Sequence, residues 1–303
     1  MTKSPWSGGG RDTPRTPAPA PGRDSPWGAR SRPATPAPPP RAAASRPDAR
    51  ADDMGGGETE DRRELRLYGR NAIEAVFARR PEAIRKLYLL EARIPQVQPL
   101  LKWCAANRVG YRVVGEDDLR KLAASTHHEG IVADVLRETP LSLGDWLQAL
   151  PEGPACALWL DGVGNPHNLG AILRSAAHFG IGAVLLPKDA SLALSGAAAR
   201  VAEGGAEAVR FVRMGREDNA LAQLRSAGFQ LAATVVRGGD DLFDARLPQR
   251  LVYVLGAEGE GMDDALAAIC DTKLRIPGSS AVESLNVAAA TAVLLAQWRQ
   301  QYR

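Results

Sequence analysis

The chain has 303 residues, 45% of them hydrophobic and 24% charged, with a net charge of +3. That length suits two domains of ordinary size. Its three cysteines, Cys104, Cys156 and Cys270, lie far apart and form no CxxC, which excludes a disulfide framework or a cysteine zinc site. No run approaches the roughly 18 apolar residues of a membrane span, and no apolar h-region opens the chain, so a cytoplasmic protein with neither membrane nor metal partner is expected.

Residues 1–50 hold 12 of the 22 prolines, and no Leu, Ile, Val or Phe precedes Leu65. Such a segment buries too little apolar area to offset its chain entropy, so residues 1–62 are expected to be a disordered Arg/Pro-rich arm. Nine basic residues face three acidic ones within residues 1–50, an excess of +6, which leaves residues 51–303 at −3. The basic excess therefore lies in the arm, where it suits contact with a phosphate backbone. A solubilising tail is the plainer alternative.

Beyond the arm, helical spacing of Ile73, Val76 and Phe77 predicts a helix over 71–78. A strand over 84–90, a helix over 96–107, a strand over 111–114, a helix over 117–124 and a strand over 131–135 follow. This makes a small α/β domain over 63–138. Pro140, Pro151, Gly153 and Pro154 mark a linker over 139–154 around a short helix at 143–150. The second domain spans 155–303. It opens with the fully apolar run Ala157 to Leu160, as in a buried parallel strand. Strands and helices then alternate to a final helix over 285–301, which predicts a parallel sheet covered on both faces.

Three segments of this second domain carry chemistry. The first, Asp161-Gly162-Val163-Gly164-Asn165-Pro166-His167-Asn168, runs from strand to helix with a GxG. A dinucleotide fingerprint requires a third glycine where His167 stands. Asn168 is a favoured cap residue, and Arg174, among Leu173, Ala176, Ala177 and Phe179, is expected to be largely buried and to need an anion partner. A structural ion pair would also satisfy it. The second segment, Gly256-Ala257-Glu258-Gly259-Glu260-Gly261, follows a strand and permits close backbone approach to a ligand, although a simple loop would look the same. In the third, Ser284-Leu285-Asn286 stands at what reads as a buried helix entrance, either as a cap or as part of a site.

In order and spacing these segments, together with Ile276-Pro277, resemble the three motifs of the SpoU/TrmH family of RNA 2'-O-ribose methyltransferases. Leu67 to Val76 and His127 to Ala133 resemble the family's amino-terminal substrate-binding domain. The resemblance implies an α/β chain with a carboxyl-terminal SPOUT domain folded into a trefoil knot, preceded by a ribosomal-protein-like RNA-binding domain. It also implies homodimerisation, an RNA substrate (rRNA or tRNA) and S-adenosylmethionine held by residues matching Gly256, Gly261, Ile276 and Leu285, with Thr234 as an accessory contact. Catalysis would fall to Asn168, Arg174, Glu258, Ser284 and Asn286. Because a guanidinium stays charged at neutral pH, Arg174 is preferred as a phosphate clamp over a general base. Gly278 after Pro277 and Glu283 before Ser284 depart from the family pattern and bear on substrate choice. A noncatalytic RNA-binding or ribosome-assembly factor with the same fold is the alternative function.

Overall fold

The computed structural model describes residues 63–257, 261–279 and 281–302; the expected arm over 1–62 and the site residue Glu258 lie outside the described residues. The first sheet is built from β1 (Glu64–Tyr68), β2 (Ile84–Leu89), β3 (Gly110–Val113) and β4 (Ile131–Leu136), in the order β1-β4-β2-β3. Strand β4 is antiparallel to both its neighbours, while β2 and β3 are parallel. Helices α1 (Arg70–Arg79), α2 (Gln98–Ala106) and α3 (Glu116–Ala123) connect them. Helix α1 buries Ala72, Ile73 and Val76 against Leu67, Leu87 and Ile131. Strand β1 was not expected from the sequence, where Arg63, Glu64 and Arg66 break up its apolar signal. Arg66 nevertheless forms a two-pronged pair with Asp134 on β4, at 2.7 and 3.2 Å, which fixes its register.

The second sheet has eight parallel strands. They are β5 (Leu141–Ser142), β6 (Ala155–Leu160), β7 (Ala183–Leu186), β8 (Arg210–Arg213), β9 (Gln230–Thr234), β10 (Asp240–Asp241), β11 (Arg250–Leu255) and β12 (Thr272–Arg275). Their order is β10-β12-β9-β11-β6-β7-β8-β5. Residues 139–154, expected as a linker, supply β5 and helix α4 (Leu143–Ala149), whose Trp146 is buried. The very short β5 and β10 carry too few residues for a period-2 pattern to show.

The apolar run of β6 divides between two cores because alternate strand residues face opposite ways. Cys156, Leu158 and Leu160 join helices α5 (Pro166–Phe179), α6 (Gly196–Ala202) and α9 (Val287–Gln301) on one face. Ala155, Ala157 and Trp159 join α4, α7 (Glu217–Ser226) and α8 (Asp264–Ile269) on the other. Among the described residues, no helix is long and apolar enough to cross a membrane, and no group of three or more His, Cys, Asp or Glu could hold a metal ion.

The two sheets meet across α6. Gly196 approaches so closely that a Cβ there would lie 2.5 Å from the Arg66 carbonyl oxygen, and Ala199 belongs to the core of the first sheet. Arg80 donates from Nε and Nη2 to the two carboxylate oxygens of Glu207, each at 2.7 Å. Both side chains are largely withdrawn from water, 15% and 6% exposed, so each depends on the other for its charge to be tolerated.

Candidate active site

Helix α5 begins where the sheet ends. Asn165 caps it, its Oδ1 accepting from His167 N at 2.9 Å, and Pro166 fills a first-turn position that has no use for an N–H. Asn168, expected as a cap, is instead the third helical residue and is buried. The error came from weighing one Asn without the Asn-Pro pair before it. Gly170 then lets α6 pass, since a Cβ there would fall 2.5 Å from the Ala198 carbonyl oxygen.

Arg174 corrects a second expectation: it is exposed, not buried. Six residues separate it from Asn168, roughly 9 Å along the helix axis, and the intervening turn carries it out of the core stripe of Leu169, Ile172, Leu173 and Ala176. Its charge therefore faces water and any ligand that arrives there.

A cavity of about 570 Å³ opens at the carboxyl ends of β9, β11 and β12, and its far wall is the start of α9. It lies beside the junction of β11 with β6, where the chain turns from building one side of the sheet to the other, the usual ligand position in such sheets. Thr234, Gly256, Gly261, Ile276, Leu285, Ser284 and Asn286 all line it. The second and third sequence motifs thus converge, while Asn168 and Arg174 of the first stand outside the lining.

Each wall has a local cause. Gly256 is pressed against the returning backbone, and a Cβ would lie 2.5 Å from Met262 N and 2.6 Å from the Gly261 carbonyl oxygen. Ala257 and Gly261 close that loop by two reciprocal N–H to O bonds of 3.0 and 3.1 Å, and Gly261 takes φ +80°, where a side chain would be strained. The Thr234 hydroxyl donates to the Val254 carbonyl at 2.9 Å, tying β9 to β11 at the rim. Tyr253 donates to the Leu294 carbonyl at 3.1 Å, anchoring α9 to the sheet behind the cavity. Burial pushes that phenol well above its ordinary value, so it stays a donor.

Asn286 joins the first and third motifs. Its Oδ1 accepts from Ala288 N at 3.0 Å and Ala289 N at 3.4 Å, which caps α9, while its Nδ2 donates to Asn168 Oδ1 at 3.0 Å. The cap of the helix is therefore also part of the cavity lining. The entrance of α9 is open, however, where a buried one was expected: Ser284, Leu285 and Asn286 are all exposed in the single chain. Sequence reading passed over Asp161, whose carboxyl is pushed above the usual range by burial and by the charge of Asp263. Its position directly after β6 was the available signal.

The cavity fits a molecule of nucleoside size. Leu255, Leu274, Val287 and Leu294 offer apolar walls, Gly256 and Gly261 leave backbone groups unshielded by side chains, and Glu283 offers negative charge at the mouth. Fold and site together define a two-domain α/β protein that holds a small cofactor at the carboxyl edge of a parallel sheet.

Residues 155–296 match the SpoU rRNA Methylase family, and residues 66–140 match the RNA 2'-O ribose methyltransferase substrate binding family. The chain is 40% identical over 238 residues to YfiF of Escherichia coli O157:H7, named an uncharacterized tRNA/rRNA methyltransferase, covering 78% of this chain and 68% of that protein. It is 37% identical over 233 residues to the 23S rRNA (guanosine-2'-O-)-methyltransferase RlmB of Bordetella pertussis, covering 76% of this chain and 94% of that one. It superposes on the crystal structure of an AdoMet-bound rRNA methyltransferase from Sinorhizobium meliloti with a TM-score of 0.66 at 25% identity, covering 80% of this chain and 88% of that one. The chain belongs to the SpoU rRNA methylase family.

Proposed function

We propose that this protein transfers a methyl group to a ribose 2'-hydroxyl of structured RNA, rRNA or tRNA, with S-adenosylmethionine as donor. The observation that carries this reading is that the second and third family motifs line one cavity at the sheet edge, and that Asn286 of the third bonds to Asn168 of the first. A noncatalytic relative would need no such cavity.

Bound there, S-adenosylmethionine supplies a methyl carbon already activated by its sulfonium. The chain must then align a poor nucleophile and ease the loss of its proton. The exposed Arg174 guanidinium suits holding an RNA phosphate and offsetting negative charge as it grows on the ribose oxygen. Asn168 gives its Oδ1 to Asn286 and keeps Nδ2 as a donor for the ribose or its phosphate. Ser284 and Asn286 present polar groups at the cavity mouth, while Thr234, Gly256, Gly261, Ile276 and Leu285 form the cofactor walls. Glu258, in the same loop as Gly256 and Gly261, keeps its place in the proposed site from the sequence motif.

The active form we infer is a cytoplasmic homodimer with the family's trefoil knot in its carboxyl-terminal domain. Val236 and Leu285, which line the cavity, and nearby Val282 are 54%, 49% and 70% exposed. Apolar side chains at a polar site suit cover by a second copy. The domain over 63–138 is assigned to RNA recognition and residues 1–62 to phosphate contact.

The test is Arg174→Ala. Methyl transfer to RNA should fall by at least about a thousandfold, as for loss of a group that acts in the transition state, while calorimetry shows unchanged affinity for S-adenosylmethionine. Undiminished turnover would remove Arg174 from the mechanism.

A further inference from the structure

The turn that ends α6 touches both domains. Glu203 closes the helix in the left-handed region, φ 51° and ψ 41°, where glycine is the usual occupant and a side chain is strained. Its carboxylate explains the choice. One oxygen accepts from the Asn71 side-chain amide, on α1 of the first domain, and the other pairs with Arg200. Arg200 also pairs with Glu129 of the first domain, and Glu129 accepts from Arg70 N at 2.9 Å, at the start of α1. The Arg200 side chain lies directly over Gly69, where a Cβ would collide with its Cδ.

The residues after Glu203 face both ways. A Cβ on Gly204 would lie 3.1 Å from Ala75 Cβ on α1. A Cβ on Gly205 would lie 2.8 Å from the Leu173 carbonyl oxygen and 3.1 Å from the Arg174 Cα on α5. The turn is thus wedged between the helix that opens the first domain and the turn of α5 that bears Arg174. Burial pushes the Glu203 carboxyl up, but the Asn71 bond and the charges of Arg200 and Arg174 outweigh it and hold the group below its ordinary range.

We propose that Glu203 is a positioning residue for Arg174, and that the turn over 203–205 passes the seating of the first domain on its RNA to the Arg174 guanidinium. Gly205, two residues on, packs against the Arg174 Cα, and Asn71 with Glu129 and Arg200 set where Glu203 stands. The inference rests on the placement of Arg174 in the methyl-transfer site.

The experiment uses the full chain, S-adenosylmethionine, and total RNA from cells lacking the protein. Glu203→Gln keeps the shape and removes the charge; we expect kcat to fall about tenfold or more, with KM for RNA and affinity for S-adenosylmethionine within twofold of wild type. Glu203→Asp should recover part of the rate, and Asn71→Ala should lower kcat by a smaller factor. Independently of turnover, the 15N–1H signal of Arg174 Nε, assigned by its loss in Arg174→Lys, should shift in Glu203→Gln and in Asn71→Ala. A kcat within twofold of wild type, or an Arg174 signal that stays in place in both variants, overturns the proposal. If wild-type protein transfers no methyl group, the proposed function fails instead, and the Arg174 signal still decides the positioning role.

Discussion

The cavity and the seam between the two domains are built from different materials. Around the cavity, the walls are backbone, glycine and aliphatic side chains, and the few polar bonds there tie elements together: Thr234 to β11, Tyr253 to α9, Asn286 to α5. On the side facing the first domain, charged side chains dominate: Arg80 with Glu207, and Arg200 between Glu129 and Glu203. The cavity is defined by shape, and the seam by paired charges whose placement depends on both domains. One side should therefore fail when volume is added, the other when charge is removed.

The largest effect beyond Arg174→Ala is expected on the cofactor side. Gly256→Ala puts a methyl group within 2.6 Å of backbone atoms of Gly261 and Met262, so the loop must move into or away from the cavity. Affinity for S-adenosylmethionine should drop by about a hundredfold, near 2.7 kcal/mol, by calorimetry. Retained affinity would mean that the loop is not a cofactor wall.

On the charged side, Arg80→Ala strands the Glu207 carboxylate, 6% exposed, without its partner. The loss should reach about 3 kcal/mol in denaturant unfolding, while an Arg80→Leu, Glu207→Leu double substitution recovers most of it. Equal losses in the single and double variants would show that packing, not charge, joins the domains there.

Asn286→Ala removes the cap of α9 and the bond to Asn168, and should cost about 1–2 kcal/mol of stability together with a fall in methyl transfer. A loss of stability with transfer unchanged would reduce Asn286 to a cap. The smallest effect concerns acid. Glu203 binds a proton less readily folded than unfolded, so the stability it contributes is complete above its unfolded value of about 4.5 and is lost as pH falls through its lower folded value. Glu203→Gln should flatten the acid limb of the stability profile; an unaltered limb would contradict the assigned shift.

Much of the second domain was legible because its signals are long and local. The run Ala157 to Leu160 reads as a strand buried on both faces, and the structure divides it between two cores. Arg174 was misjudged for a physical reason: apolar neighbours in sequence fill the core stripe of α5, but a residue between them can point outward. The entrance of α9 reads as buried in the sequence because it runs straight into a long apolar stretch, whereas burial begins only at Val287. The Glu203 turn was invisible for another reason. Its meaning comes from Asn71 and Glu129, more than 70 residues away in the chain, and no local pattern announces a contact between domains.

The most direct measurement follows the methyl group itself. The full chain is incubated with S-adenosylmethionine labelled in its methyl group and total RNA from cells lacking the protein, and the RNA is digested to nucleosides for mass spectrometry. The label should appear in a 2'-O-methylated nucleoside, and should vanish with Arg174→Ala. Label on a base, or none in RNA from a protein that binds S-adenosylmethionine, would contradict the account.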